Sequence, residues 1–254
     1  MSLLAGYEHV EEKLKPELLA YGDLPHTVDA SLRANWDDPV SHYLEDTPVS
    51  RRYIPHEALD LRVTRTKVAM YAMFADDIRR REIWTINHGD SIMRFPAPVT
   101  VPRGRKALNK LIISIVQGFL KVFTVFRTKE QKKRREELQK KLKATIANAL
   151  GDRVPELFSL DGLSTAPEKQ GLGYASLLVD KLAAIADAQS RGLWLITTSR
   201  VTSFYAQFGF KTVGSVPLGE DNPTWKEDPV VFCIMLREPE AASLHLGEKV
   251  SLVC

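Results

Sequence analysis

The sequence predicts an α/β fold in which a mixed, mostly antiparallel central sheet carries helices on both faces. Three segments indicate this class. Residues 81–95, "REIWTINHGDSIMRF", switch to apolar side chains at every second position around a polar "NHGD" turn, as β-hairpins do. A strand, a glycine loop and a helix follow one another over residues 157–189. Short apolar runs between residues 193 and 237 supply further strands.

The chain before the hairpin is predicted to be helical. Prolines that include Pro25, Pro39, Pro48 and Pro55 divide the first 60 residues into short helices and loops. The segment "DASLRANWDDPVSHYL" is predicted to be one helix broken near Pro39. From Leu59 to Arg81, apolar residues recur at helical spacing among charged ones, which predicts one amphipathic helix. After the hairpin, the proline-rich "PAPVTVPRG" ends the second strand.

Residues 105–150 are predicted to form a long helical insertion with two unlike halves. The first, "ALNKLIISIVQGFLKVFTVF", is strongly apolar, but its lysines and amides leave it short of the roughly 20 apolar residues that span a membrane. The second, "RTKEQKKRREELQKKLK", holds nine basic residues against three glutamates. We interpret the pair as core-covering or interfacial helices, and the basic run either as a solvated face or as a surface for an anionic membrane or a nucleic acid.

The last third of the chain has the most regular pattern. It predicts a strand from Leu157 to Thr165, a helix from Gly173 to Gln189, the strand "LWLITTS", the short helix "VTSFYAQF" and the strands "GFKTVGSVPL" and "VVFCIML". A hydrophobic content of 44% over 254 residues can bury one large core. We therefore predict one domain over residues 1–240, with a core at about 150–240, the insertion at about 105–150 and a loose tail at 241–254.

Charge and cysteine usage exclude several classes of site. The chain has 35 basic and 32 acidic residues, a net charge of +3, which by itself does not indicate nucleic-acid binding. Cys233 and Cys254 are far apart and lack any Cys/His grouping, so we expect neither a disulfide framework nor a metal site. The first residues do not form a secretory signal, and we expect a cytoplasmic protein, with the nucleus as the alternative.

The segment "TAPEKQGLGYASLL", residues 165–178, predicts an anion site at the start of a helix. Backbone N–H groups there have no partner within the helix, the helix dipole adds partial positive charge, and glycines allow close approach. A dinucleotide-binding reading is weak, because Ser176 takes the place of the third glycine and the next strand ends without an acid. The Gly-Lys-Ser/Thr of a P-loop is absent.

From Gln170 the segment reads Q-G-L-G-Y-A, which resembles the Gln/Arg-x-x-Gly-x-Gly/Ala signature of the GNAT superfamily, the coenzyme A-dependent N-acetyltransferases. "LDGLSTAPEKQGLGYASLL" is similar to the strand, turn and long helix of that family, and "LWLITTSRVTSFYAQFGFKTV" to the strand and tyrosine element that follow. Both blocks lie within residues 157–213, in the family's order and spacing. Residues 1–60 give no clear match.

The resemblance implies a set of residues that bind acetyl-CoA, the acyl donor. Backbone amides would cradle the pyrophosphate, strand residues would line the pantetheine arm in a gap between two splayed strands, and the full set is Leu163, Ser164, Thr165, Gln170, Gly171, Leu172, Gly173, Tyr174, Ala175 and Thr198. Tyr205 matches the tyrosine that faces the thioester sulfur and would protonate the leaving thiolate. Asp161 is the proposed base, with a water chain as the alternative.

These implications give two hypotheses of different class. The first is an N-acetyltransferase in which an amine attacks acetyl-CoA directly, with no enzyme nucleophile and no metal. The second is a catalytically weak module that binds coenzyme A and docks to a membrane or a partner through the basic helix 127–143. Under the second, Tyr205 is simply a core aromatic.

Overall fold

Two β-sheets of four strands each form the centre of the protein. A computed structural model of the chain describes residues 14–46, 56–96, 98, 100, 106–122 and 127–240. Within those residues the strands are β1 (Glu17–Leu18), β2 (Ile83–Ile86), β3 (Ser91–Arg94), β4 (Phe158–Leu160), β5 (Gly162–Thr165), β6 (Leu193–Thr198), β7 (Lys211–Leu218) and β8 (Val230–Arg237). The α-helices are α1 (Leu24–Ala34), α2 (Pro39–Glu45), α3 (His56–Arg80), α4 (Lys106–Val122), α5 (Lys129–Leu150), α6 (Tyr174–Ala188) and α7 (Thr202–Ala206).

The first sheet is antiparallel and the second is mixed, so the strands are mostly antiparallel, as the sequence predicts. The first sheet has the order β1-β2-β3-β5 and the second the order β4-β6-β8-β7. Every pair of neighbouring strands is antiparallel except β4 and β6. The prediction of a single central sheet is incomplete, since the strands divide into two sheets. The predicted hairpin is β2 and β3, joined through the turn at residues 87–90.

Helices cover both faces of the first sheet because its apolar residues alternate. Ile83 and Ile92 point to a cluster with α1 and α3, whereas Ile86 and Met93 point to a second cluster with α6. That second cluster also contains Leu160 of β4 and residues of β6 and β8, so α6 packs against both sheets. The other face of the second sheet is covered by α2 and α5.

The N-terminal part agrees with the sequence except at its first strand. The predicted break near Pro39 separates α1 from α2, and Asp38 caps α2 by accepting a hydrogen bond of 2.9 Å from the backbone N–H of Ser41. The predicted amphipathic helix is α3. The two-residue strand β1 pairs with β2 and was not predicted, because two residues are too short to show an alternating pattern. The single domain over residues 1–240 stays a prediction, and the tail at 241–254 lies outside the described residues.

Residues 105–150 contain two helices, α4 and α5, one in each of the two unlike halves of the segment, and its description as an insertion stays a prediction. Thr128 and Gln131 start α5 with reciprocal hydrogen bonds, a capping box of 2.9 and 3.1 Å. Among the described residues no helix is both long and apolar enough to cross a membrane. The basic run and the apolar half lie on separate helices, because α4 ends at Val122 and α5 begins at Lys129. The basic residues of α5 divide between an inner and an outer face.

Arg134 lies on the inner face of α5 and is fully buried. Its guanidinium donates to the carbonyl oxygen of Tyr43 at 2.6 Å, to Thr224 Oγ1 at 2.8 Å and to Glu130 Oε1 at 3.1 Å. It also lies over the Tyr43 ring, 5.0 Å from the centroid. One buried cation thus joins α5 to α2 and to the loop before β8, and the solvated-face interpretation is wrong for this residue.

Replacing Arg134 by alanine is expected to lower the free energy of unfolding by about 3 kcal/mol, because Glu130 would keep its charge without this partner and the carbonyl of Tyr43 would lose its donor. Lys132→Ala, on the exposed side of the same helix, is the matched control and is expected to stay within about 0.5 kcal/mol of wild type. Chemical denaturation followed by circular dichroism measures both. Equal effects of the two substitutions would contradict the proposed role of Arg134.

Candidate functional site

The strand predicted from Leu157 to Thr165 is not continuous, and the break at Asp161 opens the candidate site. Before the break, β4 pairs in parallel with β6, with Leu160 opposite Leu195. After it, β5 pairs antiparallel with β3 in the other sheet, with Gly162 opposite Arg94. The backbone N–H of Asp161 itself donates to the carbonyl oxygen of Arg94 at 2.9 Å. The prediction of one strand is therefore wrong, because pairing with β3 takes over from pairing with β6.

The change of sheet leaves two strand edges facing a gap. If β4 continued in register with β6, Gly162 would lie opposite Thr197 and Leu163 opposite Thr198. Instead, Ile196, Thr197 and Thr198 are paired with β8 on one side and, within the described part of the chain, have no strand on the other. The edge of β5 away from β3 is also unpaired there. Backbone polar groups on both edges are available to a bound molecule.

The loop after β5 turns sharply and ends in two glycines. The backbone N–H of Ala166 donates to the carbonyl oxygen of Asp90 at 2.7 Å, which fixes the start of the loop against the β2–β3 turn. Gly171 and Gly173 have φ angles of +78° and +80°, in the left-handed region that costs other residues free energy. A Cβ at either position would meet no atom within 4 Å, so the requirement for glycine is conformational.

Six consecutive backbone N–H groups at the start of α6 have no acceptor in the described residues. The N–H of Gln170 donates to Pro167 at 3.4 Å and that of Leu177 to Gly173 at 3.1 Å, but those of residues 171–176 make no hydrogen bond. Such groups carry partial positive charge, and the dipole of α6 adds to it. The loop is exposed, so an anion from solution can reach these donors.

Helix α1 holds this loop in place from outside. The guanidinium of Arg33 donates to both carboxylate oxygens of Glu168, at 2.8 and 3.0 Å, and this hydrogen bonding lowers the pKa of Glu168. The hydroxyls of Ser31 and Ser164 share a hydrogen bond of 2.9 Å. Both contacts connect α1 to the segment between β5 and α6, so the position of the loop depends on the N-terminal region as well as on its own sequence.

Tyr205 lies on the short helix α7, which follows β6 after one 3₁₀ turn. Its ring is 7% exposed and packs in the same cluster as Leu160 and Leu195, the last paired residues before the gap. Its hydroxyl oxygen has no hydrogen-bond partner among the described residues. That oxygen is not completely buried, so it can be reached from outside the core. Burial raises the pKa of Tyr205 to about 12, which keeps the phenol neutral at physiological pH.

The other predicted site residues lie on two stretches of chain beside the gap. The half-buried ones are Leu163, Ser164 and Thr165 on β5, Ala175 on α6 and Thr198 at the end of β6, whereas Gln170 and Leu172 in the loop are exposed. The side chain of Tyr174 is buried in the core, so only its N–H faces the loop. Asp161 is exposed at the break and accepts a short hydrogen bond from Ser159.

Sequence reasoning missed a cavity of about 260 Å³ at the carboxyl end of β6. Asp37 and His42 line it from the α1–α2 segment, Thr198 from β6, and Asp228 from the loop before β8. Only Thr198 was predicted, because the others come from the α1–α2 segment and the loop before β8, which no local pattern connects. A larger cavity of about 450 Å³ lies at the amino end of β6, around Gly192, away from the gap.

The described residues contain no group of three or more His, Cys, Asp and Glu side chains that could hold a metal ion. Cys233 is buried in the core cluster around α6.

Comparison with known proteins identifies the fold. No protein-family model matches the sequence, and no curated protein matches it. Among solved structures, arylalkylamine N-acetyltransferase 2 from Aedes aegypti is 15% identical, with 90% of this chain and 100% of that one covered and a TM-score of 0.51. A mosquito arylalkylamine N-acetyltransferase, like 5b, is 8% identical, with 89% and 99% covered and a TM-score of 0.53. The chain therefore shares the fold of these two structures.

We expect Gly173→Ala to lower the free energy of unfolding by about 1 kcal/mol, because alanine is strained at a φ of +80°. Gly118 in α4 is a matched control, since a Cβ there also meets no atom within 4 Å but the backbone is helical. Gly118→Ala should therefore raise the free energy of unfolding by about 0.5–1 kcal/mol. Thermal unfolding measures both, and a stabilising effect of Gly173→Ala would contradict the assigned backbone conformation.

Proposed function

We propose that the protein transfers an acetyl group from acetyl-CoA to an amine by direct attack. The observation that carries the proposal is the row of six N–H donors at residues 171–176, placed beside the gap between β5 and β6. The anion site can bind a phosphate group, and the open strand edge beside it can form hydrogen bonds with amides. Together they fit a long molecule with a phosphate at one end and amides along its arm. The two mosquito structures that share the fold are N-acetyltransferases by name, which supports this class of reaction.

The cofactor would be held mainly by backbone groups. The pyrophosphate of coenzyme A would accept hydrogen bonds from the six N–H groups of residues 171–176, with the dipole of α6 adding to the attraction. The pantetheine arm contains amides, and these would pair with the free edge of β5 along Leu163, Ser164 and Thr165, as an added strand does. Gln170 donates its side-chain amide to the carbonyl of Thr165 at 3.3 Å and would stabilise the turn between the two parts.

The thioester would lie in the gap, close to Tyr205. In the reaction the amine nitrogen forms a bond to the carbonyl carbon, the carbon–sulfur bond breaks, and the sulfur leaves as a thiolate that takes a proton. Tyr205 remains a proton donor well above neutral pH, because its pKa is raised to about 12 by burial. A thiolate in the same desolvated surroundings is also a stronger base than in water. The pKa values of Tyr205 and of the leaving thiol are therefore closer together than the difference between their values in water indicates. Water then returns the proton to Tyr205.

Asp161 is the proposed base that takes the proton from the attacking amine. Its carboxylate is exposed at the break between β4 and β5, where the gap begins, and Ser159 holds it by a short hydrogen bond. The amine would approach through the cavity that Asp37, Asp228 and Thr198 line, since this cavity opens at the end of β6. Three carboxylates line this cavity (Asp37, Glu227 and Asp228) against the guanidinium of Arg200, and this balance favours amines that carry positive charge.

A thiol-release assay across a panel of amines tests the function. The wild-type protein is expected to release coenzyme A thiol from acetyl-CoA with at least one class of amine, and Tyr205→Phe to lower kcat by about 100-fold with the KM for acetyl-CoA little changed. Tyr21→Phe, which removes an exposed hydroxyl far along the chain, is the matched control and should leave kcat unchanged. Calorimetry measures the binding of acetyl-CoA to the same proteins. If the wild type did not bind acetyl-CoA, the proposed function would be contradicted.

The pH dependence tests the protonation state assigned to Tyr205. Since its pKa is about 12, the rate should not fall between pH 8 and pH 10 through ionisation of this group. The alternative is a module that binds coenzyme A without turnover. It would be favoured if the wild-type protein bound acetyl-CoA but released no thiol with any amine, and if Tyr205→Phe behaved in the same way.

Asp161→Asn tests the base. It is expected to lower kcat/KM by about 100-fold at neutral pH, because asparagine cannot accept the proton, while acetyl-CoA binding stays as in wild type. Asp180→Asn, at an exposed position on α6, is the matched control and should be neutral. An unchanged rate for Asp161→Asn would show that a water chain carries the proton.

A further inference from the structure

Helix α4 exposes an apolar stripe to solvent. Leu111 and Ile115 are one helical turn apart and are 57% and 61% exposed, the latter the most exposed large hydrophobic side chain of the described residues. Phe119, one turn further, is 45% exposed. Single exposed apolar residues are common on protein surfaces, but three in one row on a helix are not explained by chance exposure.

The same helix is held by its opposite face. Ile112, Ile113 and Val116 are half-buried, and α4 contacts α3. Helix α4 therefore keeps one apolar face on the protein while the stripe of Leu111, Ile115 and Phe119 faces outward. A helix that only covered the core would carry polar residues at these outward positions.

The outer face of the next helix is strongly basic. Five exposed lysines lie along α5 (Lys129, Lys132, Lys133, Lys140 and Lys143), and Glu136 is the one exposed acid among them. None of the five forms an ion pair with any described residue. Three other basic residues of the run contact the rest of the protein: Arg134 is buried, Arg135 pairs with Glu45, and Lys141 donates to the carbonyl oxygen of Pro217 at 2.8 Å.

The combination of aliphatic and cationic groups indicates which partner fits. Leucine and isoleucine gain nothing from nucleic acid, which binds basic and aromatic side chains. A second copy of the chain packed on the stripe would bring groups of the same sign together, since the exposed Lys110 lies on the same helix. A bilayer surface with anionic lipids accepts both groups, because the aliphatic side chains enter the acyl boundary while lysines remain with the headgroups.

We infer that the stripe of α4 and the outer lysines of α5 dock the protein on the surface of an anionic membrane. In this arrangement α4 lies in the plane of the membrane interface, with its apolar stripe toward the acyl boundary. This inference does not rest on the proposed acetyltransferase activity, and it would place an amine-modifying site near lipids if both hold.

Sedimentation with lipid vesicles tests the inference on the full chain. Wild-type protein is expected to bind phosphatidylcholine vesicles with about one-third phosphatidylserine, and to bind pure phosphatidylcholine about tenfold more weakly. The double substitution Leu111→Gln and Ile115→Gln should weaken binding about tenfold or more. Val213→Gln, which changes a 40% exposed aliphatic residue on β7, is the matched control and should bind as wild type does.

A second variant separates the contribution of the lysines to vesicle binding from that of the apolar stripe. Replacing Lys132, Lys133, Lys140 and Lys143 by glutamine should remove the preference for anionic vesicles at low salt and have little further effect at about 1 M salt, where surface charges are screened. Circular dichroism melting confirms that each variant is folded. Thiol release in the absence of vesicles should match wild type for all of them, so a failure of docking and a failure of the enzyme are told apart.

Three results would overturn the inference. The first is no vesicle binding by the wild type. The second is RNA binding that depends on the lysines and ignores the stripe, which would assign the basic face to nucleic acid. The third is a wild-type dimer in sedimentation velocity that Leu111→Gln with Ile115→Gln dissociates, which would assign the stripe to a second copy of the chain.

Discussion

At Asp161 the chain leaves the sheet of β4 and β6 and joins the sheet of β3, and the candidate site depends on this change of partner. It leaves residues 196–198 of β6 and the outer edge of β5 without a neighbouring strand among the described residues. Backbone groups at such edges must be satisfied by water or by a bound molecule. The same change directs β5 toward the loop at Gly171 and Gly173, so an open edge and an anion site follow each other along the chain.

Packing around the gap keeps the two sheets together although their strands separate. Helix α6 contributes Leu178 and Leu182 to a cluster that contains residues of both sheets, and it begins at the row of N–H donors. Burial of large side chains on both sides, worth roughly 2 kcal/mol each, offsets the ladder hydrogen bonds lost at the break. One helix therefore stabilises the splayed arrangement and supplies the dipole that would attract the cofactor's phosphates.

Local patterns predicted much of the fold and the order of the site segments. The hairpin, the break before Pro39, the two helices of the insertion and the glycine loop follow from periodicity, proline and glycine chemistry. Three features do not follow from local patterns, because a partner distant in sequence decides each of them. The break at Asp161 depends on pairing with Arg94, the strand β1 on pairing with Trp84, and the inward position of Arg134 on its hydrogen bond to Tyr43. The roles of Tyr205 and Asp161 came from resemblance and remain proposals, and the cavity at Asp37 and Asp228 has no local signal at all.

The central claim is that the N–H groups of residues 171–176 receive the phosphates of coenzyme A. Nuclear magnetic resonance of the ¹⁵N-labelled protein tests it directly, since amide protons move downfield when they donate to a phosphate oxygen. On titration with coenzyme A, we expect the largest downfield shifts at these six residues, and no comparable shifts at the exposed lysines of α5. Shifts confined to α5, or none at residues 171–176 when coenzyme A is saturating, would contradict the account.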